Sequence, residues 1–454
     1  MSQSVDQRVK FFEGEHSADG ALRAGSTTPP APGSRVAVVG AGIAGLSTAW
    51  LLADKYRVTL FEAGAYFGGH SNTVDVTLEG VTHPVDTGFL VHNDVTYPNL
   101  VPLLAHLGVP VHASDMSFGV SIREPDIEWA GTNLRSVFAQ PSNLFRPRFL
   151  GMLRDILRFN RQAEHYLLEA RRTPMTLGSL LKREKFGQTM QDWYLLPMAA
   201  AIWSTPVSAV LEFSAETFLA FCLNHRLLQI DDRPQWKTIL GGSRVYVLAM
   251  LKRLTDARLA CPVMQVRRSD NAITVTSAAG VENFEAIVMA CHAPTTLALL
   301  DTTPDEQRVL AGFGYQANEA ILHTDISLLP RRKKVWSAWN YLAVGGQGAE
   351  RPVAVSYLIN QLQPLPFQTP VIVTLNPHQA PEASKVLGRY AYEHPVLDQT
   401  ASVSQRELSA LQGQQSTWFC GAWSGFGFHE DGLKSALRVA RDFGVAPPWR
   451  AVYD

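Results

Sequence analysis

The sequence predicts an α/β fold organised around a parallel β-sheet, and three observations carry this prediction. Arg35–Val39 and Arg57–Phe61 are short apolar runs of the kind that lies buried within a parallel sheet. Residues 43–53, between them, are predominantly apolar and indicate a helix, which gives the order strand, helix, strand. The apolar runs at 284–290 and 417–423 predict two more buried strands. We therefore expect a sheet assembled from segments that are distant in sequence.

The turn between the first strand and the helix, residues 40–45, has the sequence GAGIAG. Gly40 allows a tight turn, Gly42 lets the backbone approach a pyrophosphate, and Gly45 lets the helix pack closely on the strand. The N–H groups at the start of the helix then face the phosphates. Glu62 follows the second strand, where a carboxylate accepts hydrogen bonds from a ribose diol. The segment predicts a Rossmann-like dinucleotide-binding domain, and a purely structural strand–turn–helix is the alternative.

Two further glycine elements follow, Gly68-Gly69-His70 and Asp86-Thr87-Gly88-Phe89. With them the sequence resembles the superfamily of flavin-containing amine oxidases, protoporphyrinogen oxidases and phytoene desaturases. Members of that superfamily carry a Gly-Gly-Arg and an Asp-x-Gly-Gly element against the flavin and its diphosphate. This chain departs from the pattern at His70, where the family usually has arginine, and at Phe89, where it often has glycine.

The last 40 residues resemble the closing flavin motif of the same superfamily. Residues 417–423 predict a strand that enters a glycine turn, and residues 424–432, SGFGFHEDG, lead into a helix over 433–443. In the family the start of this helix points at the pyrimidine end of the flavin and can stabilise negative charge on the reduced ring. Ala422 stands where the family has an acid, so Glu430 or Asp431 is the candidate to replace it.

The resemblance implies bound FAD and a fold with two parts. One is an FAD-binding domain built as a glutathione-reductase-like ββα sandwich, and the other is a mixed α+β substrate domain. The expected division is a disordered tail at 1–34, an FAD-binding domain at 35–110, 236–294 and 408–454, and a substrate domain at 111–235 and 295–407. The candidate cofactor-binding residues are Gly40, Ala41, Gly42, Ile43, Ala44, Gly45, Glu62, Ala63, Gly69, His70, Thr87, Gly88, Phe89, Val263, Gly421, Glu430, Gly432 and Leu433. Val263 matches the valine whose backbone meets the adenine.

Flavin chemistry needs a donor C–H or N–H near N5 in a cavity that excludes water. The family's lysine near N5 falls at Asn318 or Glu319 by position, which weakens an amine-oxidase interpretation. His323 could orient a general base, with a structural hydrogen-bonded histidine as the alternative. His429 is the stronger catalytic candidate because its motif sits at the flavin. We expect residues 87–89, 318–323 and 428–430 to converge, with the flavin ring between the first and third, and no metal site.

Composition limits the classes of function, the cysteine chemistry and the location that we expect. The 40 basic and 41 acidic residues argue against a general nucleic-acid binder. Four scattered cysteines without CxxC spacing predict neither disulfides nor zinc. There is no uninterrupted apolar run of about 18 residues and no secretory signal pattern, so a cytoplasmic location is expected.

An arginine-rich stretch lies between residues 145 and 172. A solvated helix face is one interpretation of this stretch. The other is peripheral contact with anionic lipid at the inner face of a membrane, through Arg154, Arg158 and Arg161, near the mouth of a substrate tunnel.

Two classes of function remain open. The first is an FAD-dependent oxidoreductase that takes hydride onto flavin N5 from a hydrophobic, fatty-acyl or lipid substrate, with an amine oxidase or a carotenoid-type desaturase as alternatives. The second is a non-catalytic flavin-binding partner of a lipid-modifying enzyme. The ending Phe428-His429-Glu430-Asp431-Gly432 resembles flavoproteins associated with cyclopropane-synthase-like methyltransferases, which implies a lipid methyltransferase as a partner.

Overall fold

The computed structural model describes residues 28–203, 207–229, 233–269, 272–344 and 354–453. The strands in the first half of the chain are β1 (Arg35–Val39), β2 (Arg57–Phe61), β3 (Thr73–Leu78), β4 (Val81–Asp86), β5 (His92–Asn93), β6 (Val111–Ser114), β7 (Phe118–Ile122), β8 (Ile127–Ala130) and β9 (Trp236–Ile239). The later strands are β10 (Asp256–Arg258), β11 (Val263–Ser269), β12 (Ala272–Ser277), β13 (Gly280–Phe284), β14 (Ala286–Met289), β15 (Tyr315–His323), β16 (Trp339–Ala343), β17 (Ala354–Leu358), β18 (Ile372–Leu375), β19 (Val386–Pro395) and β20 (Thr417–Phe419).

Fifteen described α-helices connect and cover these strands. They are α1 (Ile43–Leu52), α2 (Leu100–His106), α3 (Leu134–Val137), α4 (Pro147–Arg172), α5 (Leu177–Arg183), α6 (Gln188–Met190), α7 (Leu196–Trp203), α8 (Val207–Leu211), α9 (Ala215–Asn224), α10 (Arg244–Leu251), α11 (Ala293–Leu299), α12 (Pro304–Leu310), α13 (Ile359–Leu362), α14 (Gln399–Glu407) and α15 (His429–Asp442). None of the described helices is long and apolar enough to cross a membrane.

The predicted parallel sheet is present, with strand order β10-β2-β1-β14-β20 and every neighbouring pair parallel. Because side chains alternate along a strand, β1 sends Val36 and Val38 into one apolar core and Ala37 and Val39 into another. The first core contains α1, which packs against α15. The second contains the antiparallel sheet β11-β12-β13. This arrangement of two sheets and helices confirms the predicted ββα sandwich.

A second, seven-stranded mixed sheet has the order β19-β15-β18-β17-β16-β7-β8. Only β16 and β7 run parallel among its neighbouring pairs in the described chain. A third apolar core joins β7 and β8 of this sheet to the helices of residues 147–224. The mixed α+β character expected for the second part of the molecule is therefore confirmed.

Three predictions about local structure need correction. Strand β19 was not predicted, because Gly388, Arg389 and Glu393 interrupt its apolar pattern on an edge strand that is half exposed. Helix α15 begins at His429 rather than at residue 433, because the Asp431 carboxylate accepts a hydrogen bond from the Phe428 N–H and stabilises an earlier start.

The predicted tail is ordered in its last residues. Gly33 N–H donates to the Lys55 carbonyl, and the Tyr56 hydroxyl donates to the Pro30 carbonyl. Residues 1–27 lie outside the described residues.

Candidate active site

A cavity of about 510 Å³ lies at the carboxyl ends of the parallel strands. Val39, Phe61, Ala290 and Gly421, which end or follow four of these strands, all line it. This edge of an open parallel sheet is where α/β proteins bind their ligands. From there the cavity extends between the mixed sheet and helices α7 and α9, so its two ends have different chemistry.

The glycine turn after β1 forms one wall of the cavity. Gly40 has a φ of +102°, which an L side chain rarely adopts, and a Cβ on Gly45 would lie 1.9 Å from the Gly40 carbonyl oxygen. A Cβ on Gly42, by contrast, would meet no atom within 4 Å, because this residue faces open cavity space. Helix α1 starts directly after Gly42 without a side-chain cap. The turn therefore offers an uncapped helix start to a ligand, as phosphate binding requires.

Glu62 lies beside this turn and also lines the cavity. Its carboxylate accepts hydrogen bonds from the N–H of Ala41 at 2.8 Å and of Gly64 at 2.7 Å. These bonds fix the carboxylate against the glycine turn, and each oxygen keeps a second lone pair for a ligand hydroxyl.

His70 follows a segment that lies directly against the glycine turn, since the Gly68 N–H donates to the Ala41 carbonyl at 2.9 Å. The His70 ring stacks on Tyr392 with centroids 4.8 Å apart and lies 5.1 Å from His394. Burial, followed by the neighbouring imidazole of His394, holds the pKa of His70 well below its usual value. The Nε2 atom of His70 is buried without a hydrogen-bond partner among the described residues. An orphaned buried polar atom indicates a missing partner, such as a ligand.

Asp86, the acid of the Asp-x-Gly element, does not line the cavity. It accepts hydrogen bonds from the Ser243 N–H and hydroxyl, from Thr73 Oγ1 and from Gln363 Nε2. These bonds join β4 to the start of α10 and hold residues 87–89 in position. Thr87, Gly88 and Phe89 do line the cavity.

His429 lines the middle of the cavity and stacks face to face on Phe89, with centroids 3.7 Å apart and planes 9° apart. Its Nε2 is hydrogen-bonded to the hydroxyls of Ser71 at 2.8 Å and Tyr246 at 3.0 Å. Burial, with a smaller contribution from the charge of His92, lowers the pKa of His429 to about 3. The imidazole is therefore neutral near pH 7. The sequence analysis expected the flavin ring between residues 87–89 and 428–430. Because the Phe89 and His429 rings are in contact, the structure has no space for a flavin between these two side chains.

The other end of the cavity is aromatic and apolar. Ile202, Trp203, Phe221 and Phe428 line it together with His225. Phe221 stacks on Phe428 at 4.7 Å and on His225 at 4.0 Å. Burial lowers the pKa of His225 to about 4, so this ring is neutral as well.

Charged side chains are few around the cavity. The carboxylates that line it are those of Glu62, after β2, and Glu393. Glu393 lies 3.0 Å from Nδ1 of His292, which follows β14. No lysine, arginine or aspartate lines it among the residues that the structure describes. The aromatic end therefore presents neutral groups to a ligand.

Most of the predicted cofactor residues line one cavity. These are Gly40, Ala41, Gly42, Ile43, Ala44, Glu62, Ala63, Gly69, His70, Thr87, Gly88, Phe89, Val263 and Gly421. Gly45, Gly432 and Leu433 are packing positions instead, since a Cβ on Gly432 would lie 2.7 Å from Ile43 Cγ2 and Leu433 is fully buried.

Glu430 faces away from the cavity. Its carboxylate accepts hydrogen bonds from Asn99 N–H, Asn99 Nδ2 and Leu100 N–H at the start of α2. Burial raises the pKa of Glu430 to about 7. The acid thus stabilises a helix start, and its predicted ligand role has no support in this geometry.

Asn318 and His323 are also outside the cavity lining. His323 is fully buried, with Nε2 bonded to Thr374 Oγ1 at 2.8 Å and Nδ1 accepting from Asp325 N–H at 3.0 Å. Asn318 is closer, because its Nδ2 contacts His394 Nδ1 at 3.1 Å, and His394 lines the cavity. The second converging segment is therefore not 318–323 but the end of the unpredicted strand β19.

Sequence reasoning missed Tyr392 and His394 on β19, and His225 after α9. The alternation of Tyr390 and Tyr392 along β19 was the available signal. No local pattern marks His225, which reaches the cavity only because α9 packs beside it.

The geometry fits a flavin dinucleotide on three counts. Gly42 leaves space where a pyrophosphate would approach, His70 Nε2 lacks a partner beside it, and a second helix, α15, starts at the cavity. Val263 and Cys261 line the cavity next to Glu62, whose carbonyl accepts a hydrogen bond from the Cys261 N–H at 2.8 Å. No group of three or more His, Cys, Asp or Glu among the described residues could hold a metal ion.

Comparison with known proteins places this geometry in context. The model of the flavin containing amine oxidoreductase family matches residues 43–358. A carotenoid phi-ring synthase of Streptomyces griseus is 35% identical over an alignment of 311 residues, and the match covers 61% of this chain and 57% of that protein. The match thus spans little more than half the length of this curated relative.

Solved structures share the fold. A fatty acid isomerase from P. acnes that produces CLA and a putative protoporphyrinogen oxidase from Exiguobacterium sp. 255-15 each give a TM-score of 0.63, with 14% and 15% identity. Each alignment covers 91% of this chain and 99% of the other. Cyclohexylamine oxidase from Brevibacterium oxydans gives a TM-score of 0.61 at 14% identity, covering 91% of this chain and all of the other.

Proposed function

The chain belongs to the family of flavin containing amine oxidoreductases and is a flavin-dependent oxidoreductase; within that family we propose that it binds FAD and oxidises an apolar, fatty-acyl or lipid substrate. The observation that carries the choice of substrate is the aromatic end of the cavity, formed by Trp203, Phe221 and Phe428 without a charged side chain among its described lining. Burial of an acyl chain there is favourable by about 0.8 kcal/mol per CH₂.

The choice of FAD rests on the residues that line the other end of the cavity. Glu62 is placed to accept hydrogen bonds from a ribose, and Val263 lies where an adenine would reach. His70 takes the place of the family's arginine and offers a neutral imidazole to the diphosphate. The uncapped start of α1 supplies backbone N–H groups for the same phosphates.

Flavin, when bound, supplies a hydride acceptor at N5. The protein's own contribution is to position the substrate and exclude water. Trp203, Phe221 and Phe428 pack against one another and leave an apolar surface for a chain. His429, held by Ser71 and Tyr246, presents a neutral ring that can exchange a hydrogen bond without placing charge in this environment.

This geometry supports two alternative functions less well. An amine substrate arrives as a cation, and the described lining of the aromatic end provides no carboxylate to pair with it. A carotenoid-type desaturase shares the need for an apolar cavity, and the 35% identity to a carotenoid phi-ring synthase favours it as the second candidate. A lipid methyltransferase partner remains a proposal that rests on the ending of the chain alone.

Mass spectrometry of the heat-denatured protein tests the cofactor and the ligand class together. We expect FAD at one equivalent per chain, released without covalent attachment, and a co-purified fatty acid or phospholipid in the organic extract. Release of NAD alone would refute the flavin assignment. Recovery of a polyene instead of an acyl lipid would favour the carotenoid alternative.

A further inference from the structure

Helix α4 carries leucines and arginines on the side that points away from the protein core. Its inner side, which includes Phe149, Met152, Phe159 and Tyr166, is buried. On the opposite side Leu150, Leu157 and Leu168 are 45–50% exposed. At 100° per residue these three leucines fall on one line along the helix. An ordinary solvated helix places polar residues on that line.

Further exposed apolar side chains lie on α3 and just before α4. The end of α3 lies beside the start of α4, since the rings of Phe138 and Phe149 are 6.1 Å apart. Phe145 is 85% exposed and Leu134 76%, which makes them the most exposed large apolar side chains in the described part of the chain. Leu144, beside Phe145, is 47% exposed. We call these three residues the apolar tip, and Leu150, Leu157 and Leu168 the leucine line. Neighbouring exposed apolar side chains of this kind mark an interaction surface.

Positive charge surrounds both groups. Arg154 and Arg161 each follow a residue of the leucine line by four positions, so they lie beside it on the same face, where Glu164 is the acid. The turn Lys333–Val335 packs beside α3, which carries Leu134, and Lys333 and Lys334 are exposed. The preceding Arg331 and Arg332 pair with Asp126 and Glu128. The surface therefore combines exposed leucine and phenylalanine with an excess of cations.

We propose that the apolar tip and the leucine line dock this protein on an anionic lipid surface, with α4 lying in the plane of the interface. Leucine and phenylalanine on one side of a helix with flanking arginines is the pattern of an interfacial helix. Leu150 and Leu168 are about 27 Å apart along the axis, so the contact extends along the helix. The charge is complementary to phosphate headgroups, and this complementarity distinguishes a lipid partner from a second copy of the chain, which carries the same positive surface.

This surface differs from the one the sequence suggested. Arg158 is not available for lipid, since its guanidinium donates to the Glu184 carbonyl at 3.0 Å and lies 3.9 Å from the ring centre of Phe186. Helix α4 packs on α9, and Phe221 of α9 lines the aromatic end of the cavity. The docked face is thus one helix layer away from the cavity, and the inference holds whether or not the substrate is a lipid.

Co-sedimentation of the full-length holoprotein with vesicles tests the proposal. We expect binding to vesicles of equal parts phosphatidylglycerol and phosphatidylcholine, and much weaker binding to phosphatidylcholine alone. The variant Phe145→Ser/Leu157→Ser should reduce the bound fraction at least tenfold. The variant Arg154→Glu/Arg161→Glu should reduce binding to the anionic vesicles by about fivefold or more per arginine.

Matched controls use exposed residues elsewhere on the molecule. Leu248→Ser/Val281→Ser and Arg267→Glu/Arg406→Glu change other exposed positions, outside this surface, and should bind vesicles as the wild type does. Flavin content and thermal unfolding verify that every variant folds. Equal binding by the Phe145/Leu157 variant and the wild type would overturn the proposal. The proposal would also be overturned if light scattering showed that this variant has a different oligomeric state while its vesicle binding is unchanged. In that case the surface would join two copies of the chain.

Discussion

The two ends of the cavity are built in different ways. At the end beside the glycine turn of residues 40–45, the wall includes the backbone of the turns after β1, β2 and β20, together with the side chains of Glu62 and His70. At the aromatic end the wall is side chains that arrive from separate helices, with Trp203 on α7, Phe221 on α9 and Phe428 before α15. A backbone wall depends on local conformation, whereas a side-chain wall depends on how distant elements pack. Substitutions at the first end should therefore change cofactor retention, and substitutions at the second should change substrate oxidation.

The largest expected effect separates two glycines of one turn. Gly45→Ala places a Cβ 1.9 Å from a backbone oxygen, so we expect it to destabilise the fold by more than about 3 kcal/mol and to abolish flavin binding. Gly42→Ala meets no atom within 4 Å and should leave the unfolding free energy of the flavin-free protein nearly unchanged, yet weaken flavin binding about tenfold or more. Chemical denaturation and fluorescence titration with FAD measure the two quantities. Equal loss of stability in both variants would show that Gly42 does not face space that a ligand can occupy.

Glu62→Ala is the next largest expected change. Removing the carboxylate takes away up to two charge-assisted bonds to a ribose, each worth about 1.5–3 kcal/mol. It also releases the N–H groups of Ala41 and Gly64, so the turn itself should loosen. Equilibrium dialysis against FAD should show this loss, with Glu393→Ala, at the other lining carboxylate, as the control. Flavin retention like that of the wild type would mean that Glu62 is not the ribose ligand.

His429 and His323 form a matched pair of buried histidines. His429→Ala should keep the flavin but slow its reduction by substrate about a hundredfold, because the ring lies in the cavity beside the expected flavin position. His323→Ala should leave that rate unchanged and lower the unfolding free energy by about 2 kcal/mol, through loss of its bonds to Thr374 and Asp325. Single-turnover reduction under anaerobic conditions gives the rates. If the flavin of the His429 variant is reduced at the wild-type rate, His429 has only a packing role.

The smallest expected effect is on the pH dependence of the unfolding free energy. His225 has a pKa lowered by burial to about 4, against about 6.5 in the unfolded chain, so the unfolded state binds the extra proton between these values. Its contribution to stability is complete above about pH 6.5 and is lost as the pH falls towards 4. Relative to a His225→Phe variant, the wild type should lose about 2 kcal/mol between about pH 7 and about pH 5. Urea unfolding of the flavin-free proteins measures the difference, and parallel pH profiles would show that the fold does not lower the pKa of His225.

The sequence was informative where function depends on backbone. The glycine pattern of residues 40–45 and the apolar strands around it predicted both the parallel sheet and the wall of the cavity, because each signal is local. Prediction from the sequence failed where the position of a side chain depends on how distant elements pack. His323 and Glu430 looked chemically suitable, yet one lies within a sheet and the other caps α2. His394 and His225 reach the cavity only through β19 and α9, and no spacing in the chain marks them as neighbours.

Anaerobic mixing of the purified flavoprotein with candidate substrates tests the central claim most directly. The absorbance of oxidised flavin reports whether hydride has left the substrate. An apolar cavity end predicts rapid bleaching with fatty-acyl lipids, no bleaching with putrescine or cyclohexylamine, and loss of the response when Phe221→Asp puts a carboxylate into the aromatic wall. Bleaching by the amines and not by any acyl lipid would contradict the proposed substrate, even if FAD is bound as described.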